Sequence, residues 1–92
     1  MNYEVRFTTR FKRDLKQVKK QGKDLNKLYD VIQKLASKTP LDVKYRDHDL
    51  SGNYEGYREC HIEPDWLLIY EYIEDILVLV LVRTGSHSDL FK

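Results

Sequence analysis

Residues 76–83, ILVLVLVR, constrain the fold more than any other stretch of the chain. The uninterrupted apolar run from Ile76 to Val82 is far short of the roughly 18 residues a membrane-spanning helix needs. A strand with no polar face is buried on both sides, so the run predicts a strand at a central position in a sheet. Everything else must be arranged around it. Ninety-two residues supply enough chain for one such core and not for two, so a single domain over residues 1–92 is expected.

Three further segments carry strand signals. Residues 2–7 alternate, with Tyr3, Val5 and Phe7 on one face. Residues 56–62 and 66–73 form two more, separated by the turn-forming pair Pro64-Asp65. Between the first strand and the rest lie two helical patterns. Over residues 9–21, Phe11, Leu15 and Val18 make one apolar stripe, with Thr8 or Thr9 as N-cap and Gly22 as the stop. Over residues 25–37 the apolar positions Leu25, Leu28, Val31, Ile32, Leu35 and Ala36 repeat at helical spacing after the N-cap Asp24. Thr39-Pro40 ends that helix. Residues 40–55 read as a polar loop with room for one short strand, and 84–92 as a tail. The order is β-α-α-β-β-β, an α+β domain with a helical hairpin on one face of a mostly antiparallel sheet. The other face is then free to hold a site.

Composition narrows the class of partner. Charged residues make up 34% and aromatic residues 12%, which excludes a disordered tail. Cys60 is the one cysteine, so an internal disulfide and a cysteine zinc finger are excluded. The start of the sequence has no apolar stretch of signal-peptide type, and the expected address is the cytoplasm, with no membrane contact. The formal net charge of +1 conceals two halves: residues 1–40 carry a balance of +7 and residues 41–92 one of −6. The basic helices, Arg10 to Lys23 above all, are either a solvated face or a surface for nucleic acid or an acidic partner.

The groups fit for chemistry gather in the C-terminal half. His48 lies in the loop before the strands, His61 at the end of a strand, and His87 in the tail. Each is either an ordinary surface histidine or a proton-transfer group suited to neutral pH. A zinc site from the three histidines and Asp65 lacks any tight ligand pair. A Cys60–His61 nucleophile pair fails because adjacent strand residues point to opposite faces. Cys60 shares its face with Arg58 and Ile62, whereas His61 shares its own with Tyr57 and Glu59. Arg83 is either a strand-end charge or a clamp for phosphate. Phe91 either folds onto the sheet or stacks on a base. Trp66 reads as core. Three histidines, an arginine and an aromatic without a metal motif suit metal-free cleavage of RNA by its own 2′-hydroxyl.

Three motifs then carry a resemblance over nearly the whole chain: DHxLxG from Asp47 to Gly52, YRxxHxxPDW from Tyr57 to Trp66, and RxGxHxxLF from Arg83 to Phe91. In them the chain resembles toxins of the YafQ type, in the RelE/ParE superfamily of type II toxin–antitoxin systems. The resemblance implies a RelE-like fold and an endoribonuclease that cuts messenger RNA in the ribosomal A site, without a cofactor, silenced by a cognate antitoxin. By motif it implies an active site of His48, His61, Asp65, Arg83, His87 and Phe91. His87 would be the general acid. His48, His61 and Asp65 would supply the base, orient it or bind substrate. Arg83 would stabilise the phosphate and Phe91 position a base. The basic helices would face ribosomal RNA or the antitoxin. The alternative within the superfamily is a ParE-like toxin that inhibits DNA gyrase by binding alone.

Overall fold

The computed structural model describes residues 2–91; Met1 and Lys92, the ends of the expected domain, lie outside the described residues. Five strands form one sheet in the order β1-β5-β4-β3-β2. They are β1 (Glu4–Phe7), β2 (His48–Asp49), β3 (Arg58–Glu63), β4 (Trp66–Ile73) and β5 (Val78–Gly85). The apolar strand β5 lies between β1, with which it runs parallel, and β4, with which it runs antiparallel. That is the interior position its composition requires. The strand is displaced from its expected bounds, however. Ile76 ends a 3-10 turn, Glu74–Ile76, and Leu77 takes a left-handed φ of 52° before β5 begins at Val78. Apolar character continues across this corner although Ile76 is exposed. At its far end β5 runs through Arg83 to Gly85.

The parallel pairing of β1 and β5 needs a crossover, and the two longer helices begin it. Helix α1 (Thr9–Lys20) starts where the Thr8 hydroxyl accepts from the Phe11 amide. It ends in a Schellman turn: Gly22, at φ 77°, donates to Lys19, and Lys23 donates to Val18. Helix α2 (Leu25–Ala36) is capped by Asp24, whose side chain accepts from the Asn26 amide. Its C-terminal turn repeats the same two bonds, from Lys38 to Leu35 and from Thr39 to Lys34, with Lys38 in the left-handed region. Proline 40 thus follows a stop already made by the backbone.

One face of the sheet carries the main core. Phe11 and Val18 of α1 and Leu28, Val31 and Leu35 of α2 pack with Cys60, Ile62, Trp66, Leu68, Tyr70, Leu79 and Leu81. Full burial of side chains this size contributes about 1.5–3 kcal/mol each. Trp66 is wholly buried, and its indole N–H donates to Thr84 Oγ1 at 2.9 Å. Cys60 is packing, as expected, and burial pushes its thiol pKa well up.

The second face is not free, which corrects the sequence expectation. Leu67, Ile69 and Leu90 form a smaller buried cluster there, with Leu50, Tyr54, Tyr57 and Val82 packed around it. Its cover comes from the 3-10 turn Gly52–Tyr54 and from a short helix α3 (His87–Leu90), inside the stretch expected to be a tail. Ser86 and Asp89 make a capping box around the start of α3. Among the described residues no helix is long and apolar enough to cross a membrane.

Candidate active site

The residues singled out from the sequence assemble on the second face, along the edge where β2, β3 and α3 meet. His48 is in β2, directly across the ladder from Glu59 of β3. His61 is two residues further along β3, so it shares Glu59's face. His87 opens α3. The rings form a row: centroids are 6.3 Å apart for His48–His61 and 5.6 Å for His61–His87. Phe91 continues it at 6.3 Å from His87, and Tyr54 meets the Phe91 ring edge-on at 5.6 Å. Phe91 is 44% exposed, so it borders the site without entering the core.

Each histidine has its orientation fixed by Nδ1. In His48 that atom is 2.6 Å from the Arg46 carbonyl, and in His61 it is 3.2 Å from the Pro64 carbonyl. A carbonyl only accepts, so both rings donate from Nδ1 and, when neutral, leave a lone pair on Nε2. In His87, Nδ1 is 2.8 Å from Asp65 Oδ1, and the His87 amide donates to the same oxygen at 3.0 Å. Asp65 therefore clamps both the backbone and the ring of His87. The His87 amide, then its ring, hold the Asp65 carboxyl below its ordinary pKa, so the clamp is an anion at neutral pH.

Sequence reasoning missed Glu59. It is 4% exposed, and its Oε1 lies 3.5 Å from Nε2 of both His48 and His61. Its Oε2 is buried with no hydrogen-bond partner among the described residues. Glu59 thus presents one oxygen to both imidazoles from within the fold. The available signal was the strand period that put Glu59 on the face of His61. Glu59, His61 and His87 also each bring one ligand atom within 4.8 Å of the others, a donor set that suits a transition metal.

The segment bearing His48 is pinned from the helix-covered side. Arg58 reaches Asp49 at 2.5 Å and Asp47 at 3.1 Å, and the Tyr70 hydroxyl donates to Asp47. Burial works against the charge on Arg58, but Tyr70 and Asp47 outweigh it and drive its pKa up.

Arg83 stands apart from the row. The β4–β5 register slips between Ile69 and Tyr70, so Arg83 faces Ile69 and lies on the second face beside Val82. Its guanidinium is nevertheless held by Asp14 of α1, with Nε–Oδ2 at 2.7 Å and Nη2–Oδ1 at 3.1 Å. The Asp14 carboxylate also accepts from the Thr84 amide at 3.1 Å. Asp14 foremost, and Tyr54 more weakly, push the Arg83 pKa further up, although burial opposes them. Where the sequence left Arg83 as either a strand-end charge or a phosphate clamp, the structure shows a bidentate pair with Asp14 of α1.

Comparisons with known proteins bear on the fold and the family. Residues 3–92 match the family model described as the bacterial toxin of a type II toxin–antitoxin system, YafQ. The mRNA interferase toxin YafQ of Escherichia coli K12 is 39% identical over 89 residues, covering 96% of this chain and 95% of that one. The crystal structure of the E. coli DinJ–YafQ toxin–antitoxin complex contains a chain 38% identical, with full coverage of both and a TM-score of 0.89. A metal-bound toxin from Helicobacter pylori is 45% identical, covers 97% of this chain and 99% of that one, and superposes with a TM-score of 0.91. A fold, three motifs and a family match that runs almost end to end converge on one assignment: the chain belongs to the YafQ family of toxins of type II toxin–antitoxin systems.

Proposed function

We propose that this protein is an endoribonuclease that cuts messenger RNA in the ribosomal A site, in the cytoplasm, and is silenced by a cognate antitoxin. The observation that carries the reading is the row of three imidazoles, each oriented through Nδ1, beside a buried carboxylate. The names of the E. coli relatives, an mRNA interferase toxin and a toxin in complex with the antitoxin DinJ, support it.

The reaction needs a base for the 2′-hydroxyl proton and an acid for the departing 5′-oxygen, on opposite sides of the phosphorus. His48 and His87 are the two ends of the row and take those parts. His48, whose neutral ring keeps its Nε2 lone pair beside Glu59 Oε1, removes the proton. His87 supplies one to the leaving oxygen, and Asp65 holds its ring and stabilises the imidazolium. His61 lies between them and faces the phosphate, with Glu59 behind it as counter-ion. Arg83 adds positive field through its Tyr54 side, and Phe91 with Tyr54 forms the platform on which a base stacks. The exposed cations of α1, among them Arg10, Lys12, Arg13 and Lys16, face ribosomal RNA. With so few groups to grip a substrate, positioning falls to the ribosome.

Acid–base chemistry by imidazole needs no metal. A transition metal at Glu59, His61 and His87 would occupy nitrogen lone pairs used for proton transfer, so metal binding and cleavage compete for the same atoms. The ParE-like alternative, gyrase inhibition by binding, has no use for oriented imidazoles.

The test is to map transcript 5′ ends in cells after brief induction of the wild type and of His87→Ala. New ends in frame with codons, absent in the variant, are expected. Growth arrest without new ends would overturn the reading in favour of gyrase.

A further inference from the structure

A cavity opens beside the imidazole row. It is a cleft of about 730 Å³ whose lining includes Lys27, Lys44, Tyr45, Arg46, His61 and Glu63. His61 belongs to both the row and the cleft, so the two adjoin at that side chain. The volume falls in the range that holds a small organic ligand. Its two acids are already neutralised: Glu63 pairs with Lys27 at 3.0 Å, and Asp30 with Lys34 at 3.2 Å. Lys44 and Arg46 form no ion pair among the described residues, and both are exposed. A surplus of cation therefore lies one side chain away from the scissile position.

The backbone at this point is unusual. Asp42 caps the 3-10 turn Val43–Tyr45 by accepting from the Lys44 amide at 2.9 Å. Arg46 closes the turn in the left-handed region, at φ 50°, where a residue other than glycine is disfavoured. That geometry has two results. The Arg46 carbonyl is delivered to Nδ1 of His48, and the Arg46 side chain is left on the cleft. One strained residue thus ties the orientation of a row histidine to a free guanidinium.

We propose that this cleft is the subsite for the RNA phosphate next to the one that is cut, with Arg46 and Lys44 as its ligands. The inference rests on the endonuclease reading above and adds a substrate-binding element to it. Arg46 offers a planar fork to two phosphate oxygens, and Lys44 a point charge to a third. A strand that leaves the row over His61 enters the cleft directly. An acidic peptide would bring the same anionic chemistry, but it would have no reason to follow the path shared with His61.

The experiment pairs a protein change with a substrate change. Wild type and Lys44→Ala/Arg46→Ala are assayed on ribosomes programmed with synthetic messages, in which the phosphate one step 5′ or one step 3′ of the cut is either natural or an uncharged methylphosphonate. On the natural message the variant is expected to raise KM about tenfold with kcat within about a factor of two. With the methylphosphonate on one side, wild type shows the same rise and the variant adds nothing further. Arg46→Lys, which keeps the charge and loses the fork, falls in between. Additive losses on both sides, or a variant with wild-type KM, would overturn the subsite while wild-type cutting keeps the endonuclease reading intact. A variant that cuts normally but has lost affinity for its antitoxin would make the cleft a peptide site and refute the proposal. If wild type cuts no message, the endonuclease reading fails and the subsite with it.

Discussion

Asp14→Ala tests how the structure holds Arg83. The carboxylate makes two hydrogen bonds to the guanidinium, at 2.7 and 3.1 Å, and a third to the Thr84 amide. The two side chains are only 15% and 11% exposed. Removing one partner from a fully buried ion pair costs about 3–5 kcal/mol, because the other charge stays desolvated. Both groups keep a little contact with water, and alanine gains slightly over aspartate in helix propensity. The expected loss is therefore about 2–4 kcal/mol. A domain of this length has a total stability of roughly 5–14 kcal/mol. The melting temperature should fall by about 10–25 °C, read by circular dichroism on the purified protein. The double variant Asp14→Ala/Arg83→Met should recover most of that loss, since an apolar side chain has no charge to strand. A loss below about 1 kcal/mol in Asp14→Ala, or a double variant no more stable than the single, would refute the reasoning.

Three further outcomes are expected. Asp65→Asn keeps the shape and removes the charge, so it should lower kcat by about 10²–10³-fold with little change in melting temperature, because the clamp is exposed. Asp65 has its pKa depressed in the folded state, so its contribution to holding α3 is present above the ordinary carboxylate range and is lost as pH falls through the lowered folded value. Exchange of the His87 amide should therefore remain protected at neutral pH and quicken only in acid. Protection that disappears near pH 6–7 would assign the clamp to a histidine titration instead. Micromolar zinc or copper should suppress cleavage, and a chelator selective for them, with magnesium maintained, should leave the untreated enzyme unchanged; loss of activity on chelation would revive a catalytic metal.

Much of this architecture was legible in the sequence because it is written in short periods. The stripe Phe11–Val18, the alternation along residues 57–62 and the unbroken run into β5 each report a buried face directly. The site was legible by a different route, through residue type and motif, and the row His48–His61–His87 is where those residues come together. What escaped had either too few residues or too much separation. Helix α3 spans four residues, less than two turns, so no periodicity could mark it, although the Ser86–Asp89 capping spacing was readable. The pair Asp14–Arg83 joins residues 69 apart in sequence, and a one-residue register slip decides where Arg83 lies. Glu59 sat on the right face, but its enclosure depends on what covers the second face. The turn at Leu77 interrupts an apolar run with a backbone dihedral, to which composition is blind.

The shortness of α3 has a consequence for control. Four residues cannot sustain a helix alone; order there comes from the Leu90 side chain, the capping box and the Asp65 clamp. These are few attachments, and none of them belongs to the helix-covered core. Detaching α3 would carry His87 and Phe91 away while leaving five strands and two long helices in place. The row of three histidines is therefore broken by a local opening of α3 that spares the helix-covered core, and local openings of this kind cost less free energy than global unfolding. Anything that binds the opened form need oppose only that local free energy, and the rest of the fold stays in place for α3 to return to.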